Sequence, residues 1–239
     1  MNEVVKLIQS LPSNDREFLE KILSNAPIWI LDAFQIVTFP KEKDFIEEND
    51  SANNVYILVE GRVKATDFRM YDIVYDYTWY KPIHIFGAME FLMGYDTYIT
   101  TLITMTQCKM LKISRGEFEK WMMNDIHAVL EQTKIATHHL LAQAKKERIF
   151  LFIQGEERIY YLLLQSYKYN SVNKKCTIYL TRHELANCSG LNIRTVTRAI
   201  KRLVDDNYIT KNGRKIVITE VQYEKIKELI ADKIDQLED

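Results

Sequence analysis

Residues 180–203 read Leu180-Thr181-Arg182-His183-Glu184-Leu185-Ala186-Asn187-Cys188-Ser189-Gly190-Leu191-Asn192-Ile193-Arg194-Thr195-Val196-Thr197-Arg198-Ala199-Ile200-Lys201-Arg202-Leu203. Thr181 followed by Glu184 is a capping box, a hydroxyl and a carboxylate placed to satisfy orphan amides where a helix begins. It predicts a first helix over Arg182–Cys188, with Leu185 and Ala186 turned inward. Gly190 falls where the chain needs a left-handed residue to turn, and Asn192 can cap a second helix. In that helix Val196, Ala199, Ile200 and Leu203 recur at i, i+3, i+4, i+7 as one apolar stripe. Arg194, Thr197, Arg198 and Lys201 repeat the same spacing on another face.

That second face combines two guanidiniums, an ammonium and one small hydroxyl. Arginine can donate two parallel hydrogen bonds to the O6/N7 edge of guanine, while lysine tends to the phosphates. Such a strip suits a DNA major groove, and the bend before it makes the pair a helix-turn-helix. Tyr208-Ile209-Thr210, the turn Lys211-Asn212-Gly213-Arg214 and Lys215–Thr219 then predict a hairpin, because Asn-Gly is a strong turn signal. The result is a winged helix with a basic wing tip. Used for protein contacts instead of DNA, the same domain would make the chain a small-molecule sensing module.

Charge is distributed to match. Residues 181–215 hold eight Lys/Arg against three acids, a net +5, while the remaining chain carries −6 within an overall −1. A basic patch on an otherwise acidic protein is the footprint expected of phosphate-backbone contact. At 239 residues, with 47% hydrophobic and 27% charged side chains, the chain has room for two modest domains or one large one. The first residues lack the apolar run and cleavage site of a signal peptide, and Ile149–Ile153 is too short to cross a bilayer. Cys108, Cys176 and Cys188 are odd in number and widely spaced, which fits a reducing cytoplasm better than a disulfide framework. His138 and His139 project to different faces of one helix, and His84, His127 and His183 have no Cys or His at ligand spacing. No four-thiolate set, phosphate-cradling glycine loop or nucleophile elbow occurs, so neither metal, cofactor nor catalysis is expected.

Working upstream, residues 3–26 read as helical on Val4, Leu7, Ile8, Leu11 and then Phe18, Leu19, Ile22, Leu23. From about 33 to 113 the texture changes to short runs rich in Val, Ile, Thr, Tyr and Phe. These are Phe34–Phe39, Val55–Val59, Arg62–Phe68, Ile73–Tyr80, Tyr98–Thr104 and Lys109–Ile113, and they predict an antiparallel sandwich or roll. Arg115–Met123 predicts a short helix, and Asn124 or Asp125 can cap another running to about Phe152. On it Ile126, Leu130, Thr133, Thr137, Leu140, Ala144 and Leu151 fall at alternating spacings of three and four, with Glu147 interrupting. Such a seam packs helices either in a dimer or against the roll. A helix of roughly 28 residues would extend about 40 Å, more than the roll needs, which favours the dimer. A hinge at Gln154-Gly155 precedes a helix from near Glu156 and, after the turn Tyr169-Asn170-Ser171, a strand over Lys175–Leu180. The amphipathic stretch Glu220–Leu237 is expected to pack on its own domain in preference to a partner.

From Leu180 through the wing, the sequence resembles the DNA-binding domain of the Crp–Fnr family of bacterial regulators. The likeness is looser upstream. Asn54-Val55-Tyr56-Ile57-Leu58-Val59-Glu60-Gly61-Arg62-Val63-Lys64 resembles a strand and turn of that family's effector domain. Phe86-Gly87 followed by Glu90 resembles the start of its ligand cassette, and Phe152–Ile159 resembles the hinge after its dimer helix. The resemblance implies an α+β fold: an N-terminal antiparallel β-roll or jelly roll of cyclic-nucleotide-binding type (1–118), a long dimerisation helix (119–153) and a C-terminal winged helix-turn-helix (154–239). It implies a homodimeric regulator, not an enzyme, binding an inverted-repeat operator on double-stranded DNA in the cytoplasm. RNA polymerase and an unidentified small-molecule effector are the further partners it implies. Ile193, Arg194, Thr197 and Arg198 fall at base-reading positions. Thr181, Arg182, Asn192, Thr195, Lys201 and Arg214 fall at phosphate positions, and Gly87, Glu90, Tyr98 and Thr100 line the candidate effector pocket.

Two departures from the family pattern matter. The family's recognition helix commonly carries a glutamate four residues before its arginine; here Arg194 holds that place before Arg198, preceded by Ile193. An acceptor for cytosine N4 has become a donor, so a different half-site is expected. The family's cyclic-nucleotide members also hold the cyclic phosphate with an arginine beside a small hydroxyl residue. Here Tyr98-Ile99 stands at that place, and no Lys or Arg occurs from Pro82 to Cys108. A buried anion without a fixed cation is poorly compensated, so the expected effector is not a cyclic nucleotide.

Overall fold

The structure, a computed structural model, describes residues 2–68, 74–213 and 215–233. Arg214, the expected strand start at Ile73 and the expected helix end past residue 233 lie outside the described residues. Backbone contacts divide the chain into two compact units. Of the described residues, one comprises 2–68 and 77–141, and the other 74–76, 142–213 and 215–233.

The first unit opens with α1 (Glu3–Ser10) and α2 (Ser13–Ile22), within the stretch 3–26 that the sequence reads as helical. Pro12 divides them. Its ring disfavours helical backbone in the residue before it, and Leu11 is extended at φ −69°, ψ 155°. A further helix, α3 (Ile28–Ala33), is too short to show a helical period in sequence. Then follow β1 (Gln35–Phe39), β2 (Asp44–Ile46), β3 (Asn54–Glu60), β4 (Val63–Phe68), β5 (Val74–Tyr80), β6 (His84–Phe86), α4 (Ala88–Met93), β7 (Thr101–Thr104) and β8 (Cys108–Ser114). The short β2, β6 and α4 escape the sequence reading, and Tyr98 lies ahead of β7 instead of opening it.

The strands form two four-stranded sheets, ordered β1-β8-β3-β6 and β2-β7-β4-β5. Burial explains why β3 reads as an unbroken apolar run. Tyr56 and Leu58 face the roll interior with Phe86, Leu102 and Met110. Val55, Ile57 and Val59 face the other way, into a cluster with Leu19, Ile22, Phe118 and Trp121 from the helices. A strand covered on both faces loses the polar half of its alternation. Ser114 caps α5 (Arg115–Asn124), and α6 (Ile126–Phe152) follows after one residue. Of the two expected caps Asp125 does the capping: its Oδ1 accepts from the Ala128 amide at 3.1 Å while Oδ2 accepts from Trp121 Nε1 at 3.0 Å.

One polar cluster in this unit joins parts that look unrelated in sequence. The Tyr80 ring lies 4.2 Å from His84 and 4.9 Å from His139 of α6, centroid to centroid. Its hydroxyl is 3.3 Å from His139 Nε2. Burial, with a smaller contribution from His139, pulls the His84 imidazole down from 6.5 to about 3. Between those values the unfolded chain binds a proton that the folded one refuses. The stability His84 contributes is therefore present above about 6.5 and is lost as pH falls toward 3. Thermal melts followed from about pH 7 to about pH 4 should show a shallower pH slope in His84→Phe than in wild type. Equal slopes would contradict this assignment.

The second unit contains α7 (Glu156–Asn170), β9 (Lys175–Ile178), α8 (Arg182–Ser189), α9 (Ile193–Asp205), β10 (Thr210–Asn212), β11 (Lys215–Thr219) and α10 (Glu220–Glu228). Its sheet is ordered β10-β11-β9, and Ile216 and Ile218 of β11 are buried. Lys211 pairs with Ile216 and Asn212 with Lys215, so β10 runs two residues further toward the wing tip than the sequence predicts.

Candidate nucleic-acid interface

The capping box forms as the sequence predicts. Thr181 Oγ1 accepts from the Glu184 amide at 3.1 Å, and Glu184 Oε2 accepts from the Thr181 amide at 2.7 Å. Gly190 ends α8 at φ +68°, a conformation that side chains with a Cβ adopt at a cost. Asn192 Oδ1 then accepts from the Thr195 amide at 2.9 Å and opens α9. In each cap the side chain spends an acceptor and keeps a donor, the Thr181 hydroxyl hydrogen and the Asn192 carboxamide N–H groups. Both donors sit beside helix N-termini, where amides and the dipole favour an anion.

Along α9 the two faces segregate. Val196, Ala199, Ile200 and Leu203 are 0–1% exposed and hold the helix onto α7 and α8. Arg194, Thr197, Arg198 and Lys201 are exposed on the opposite side, and Ile193 offers an apolar side chain at 39% exposure. Among the described residues neither Arg194 nor Arg198 has an ion-pair partner. Arg202 differs: it leans off this strip to pair with Glu156 at 2.8 Å. Thr195 is half-buried. Partial burial pulls the Arg182 guanidinium below its ordinary value, too little to discharge a group of such high pKa. Lys215 sits over the Tyr179 ring at 4.9 Å, at the first residue of β11 after the wing turn.

The cassette residues also come together, but their polar atoms turn inward. Gly87, at φ +85°, passes so close to β3 that a Cβ there would meet the Asn54 carbonyl at 2.6 Å. Glu90 is buried and its Oε1 accepts from the Ile99 amide at 3.3 Å. Tyr98 is 5% exposed; its hydroxyl donates to the Asn54 carbonyl at 2.7 Å, and burial pushes the phenol well up. Thr100 is half-buried. Arg115 reaches the same region from α5 and is engaged by the Tyr95 carbonyl and Asp96.

The acids that pair beside this interface carry no signal in the sequence. Glu156, in the first turn of α7, holds Arg202, and Glu157 holds Lys233. Such long-range pairs have no fixed spacing, so no motif could have found them.

Two family models match the chain: the Crp-like helix-turn-helix domain over residues 157–223, and the cyclic nucleotide-binding domain over residues 36–125. The chain belongs to the Crp–Fnr family. As a Crp–Fnr protein it is a transcription regulator with a helix-turn-helix DNA-binding domain, and its antiparallel sheets, long helix and C-terminal wing are the architecture of its structural neighbours. It is 22% identical over 195 residues to the cAMP-activated global transcriptional regulator CRP of Salmonella typhimurium, covering 80% of this chain and 92% of that protein. Its fold is similar to FixK2 from Bradyrhizobium japonicum, with a TM-score of 0.71 and 17% identity over 81% of this chain and 96% of that one. It is similar too to CLP, the c-di-GMP responsive global regulator of Xanthomonas campestris, with a TM-score of 0.69 and 20% identity over 85% and 98%. Among the described residues no helix of this Crp–Fnr protein is long and apolar enough to cross a membrane.

Proposed function

We propose that the chain works as a homodimer reading an inverted-repeat operator through α9, under an effector other than a cyclic nucleotide. The observation that carries this reading is the segregation of α9, its apolar stripe buried and its guanidiniums exposed. Arg194 and Arg198 read base edges, Thr197 packs beside them, and Ile193 meets a thymine methyl. Thr181, Arg182, Asn192, Thr195 and Lys201 hold phosphates, and Arg214 is assigned the same role from its place at the wing. Residues 1–118 form the effector domain, 119–153 the dimerisation helix and 154–239 the reading domain. A regulator that binds the bacterial chromosome and, in activation, RNA polymerase acts in the cytoplasm.

The dimer is supported by α6 itself. Ile126, Leu130, Leu140 and Leu151 are 73%, 52%, 50% and 77% exposed in the single chain. Their shared seam suits a second copy related by a two-fold axis, which places half-sites about 34 Å apart, one helical turn. Against a cyclic nucleotide stand the buried Glu90, the buried Tyr98 phenol and Arg115, which is already engaged by the Tyr95 carbonyl and Asp96 and so is not held ready for a cyclic phosphate.

Selection from random duplexes tests the reading. Enrichment of an inverted repeat is the expected result, whereas absence of salt-sensitive binding would point to a winged domain used for protein contacts. On the enriched site, Lys201→Ala should weaken binding almost uniformly across sequences and lower the slope of log affinity against log salt by about one. A salt titration giving an unchanged slope would remove Lys201 from the phosphate contacts.

A further inference from the structure

Arg158 lies in the first turn of α7, and its guanidinium reaches back toward two other helices. Nη2 donates to the Phe150 carbonyl in the last turn of α6 at 3.1 Å, and Nε to the carbonyl of Ile153, the residue just past that helix, at 3.4 Å. Nη1 donates to the carbonyl of Ser189, the last residue of α8, at 3.3 Å. The same guanidinium lies over the Phe150 ring at 5.1 Å. The final carbonyls of a helix lack partners within it and carry the negative end of its dipole. One planar fork therefore caps the C-termini of two helices at once. Its neighbours reinforce the joint: Glu157 accepts from the Gln154 amide at 3.0 Å and pairs with Lys233, and Glu156 pairs with Arg202 of α9.

We infer that Arg158 is a positioning residue for operator recognition. By tying the end of the dimer helix to the bend of the helix-turn-helix, it fixes α9 relative to α6 and so sets which half-site spacing the dimer accepts. This rests on the dimeric reading proposed above. Adding one base pair rotates the second half-site by about 34–36° around the duplex, so a rigid joint discriminates spacing and a loose one does not. Lysine cannot replace the fork, because an ammonium is a single point charge that cannot span carbonyls from two helices.

The experiment takes the operator enriched by the full-length protein and resynthesises it with spacers one and two base pairs longer and shorter. Fluorescence anisotropy then gives the affinities of wild type, Arg158→Ala and Arg158→Lys. Wild type is expected to lose about tenfold or more at the wrong spacing, and both variants less than about threefold, with base preference inside each half-site retained. A role in charge alone would be rescued by Arg158→Lys, and a general loss of folding would weaken every spacing equally. Either outcome, or a wild-type spacing window in the variants, overturns the inference. Should Arg158→Ala fail to fold, Arg158→Lys decides the matter. A wild type that enriches no paired half-sites overturns the dimeric reading first, and this inference with it.

Discussion

Truncating Trp121 to alanine should lower the stability of the first unit by about 3–5 kcal/mol, the largest single-residue loss expected in this chain. Trp121 is fully buried and packs edge-on against Phe34 and Phe118, with centroids 6.3 Å and 5.9 Å away. Removing the indole opens a cavity that three surrounding elements cannot fill without moving. It also strips the 3.0 Å bond from Asp125 Oδ2, leaving one oxygen of a buried carboxylate unpaired at the very residue that caps α6. Trp121→Phe weighs the two effects differently, because it keeps an aromatic ring in the site while removing the N–H and only part of the indole's volume. That variant should cost about 1–3 kcal/mol, the expense of an unsatisfied buried acceptor. Chemical denaturation followed by intrinsic fluorescence and circular dichroism measures both. A loss under about 1 kcal/mol for the alanine variant would mean that the indole is not the packing centre described here.

Arg198→Ala should weaken binding to the enriched operator by about 1–3 kcal/mol and flatten the base preference at one position of each half-site. The reason is geometric: Arg198 stands on the exposed strip of α9, one turn from Arg194, with no ion-pair partner among the described residues. Arg194→Glu asks a sharper question. It converts a donor into an acceptor, so preference at the base it faces should move toward cytosine, whose N4 donates. Parallel selections with the three proteins read both results. An Arg198→Ala variant that binds the wild-type operator undiminished would remove α9 from base reading.

Much of the reading domain was legible because its signals are local. Thr181 with Glu184, Gly190, Asn192 and the stripe from Val196 to Leu203 each act within one or two helical turns, and each appears in the structure where spacing puts it. The first unit was legible in kind more than in detail. Strands β2 and β6, at three residues each, are too short for a period, whereas the helical stretch over residues 3–26 shows its division at Pro12 openly. Contacts between distant segments were not legible. Nothing in sequence brings Tyr80 to His139 or Arg158 to Ser189, because those meetings depend on how the elements pack.

The wet apolar row on α6 carries a consequence for dosage. A chain that must find its own copy before it can grip a paired site responds to the square of its abundance while subunits are scarce. Leu130 and Leu140, set facing water in the lone chain, would then make the genetic response steeper than first order with no effector at all. The folded population should also rise with total protein, since mass action favours the assembled form.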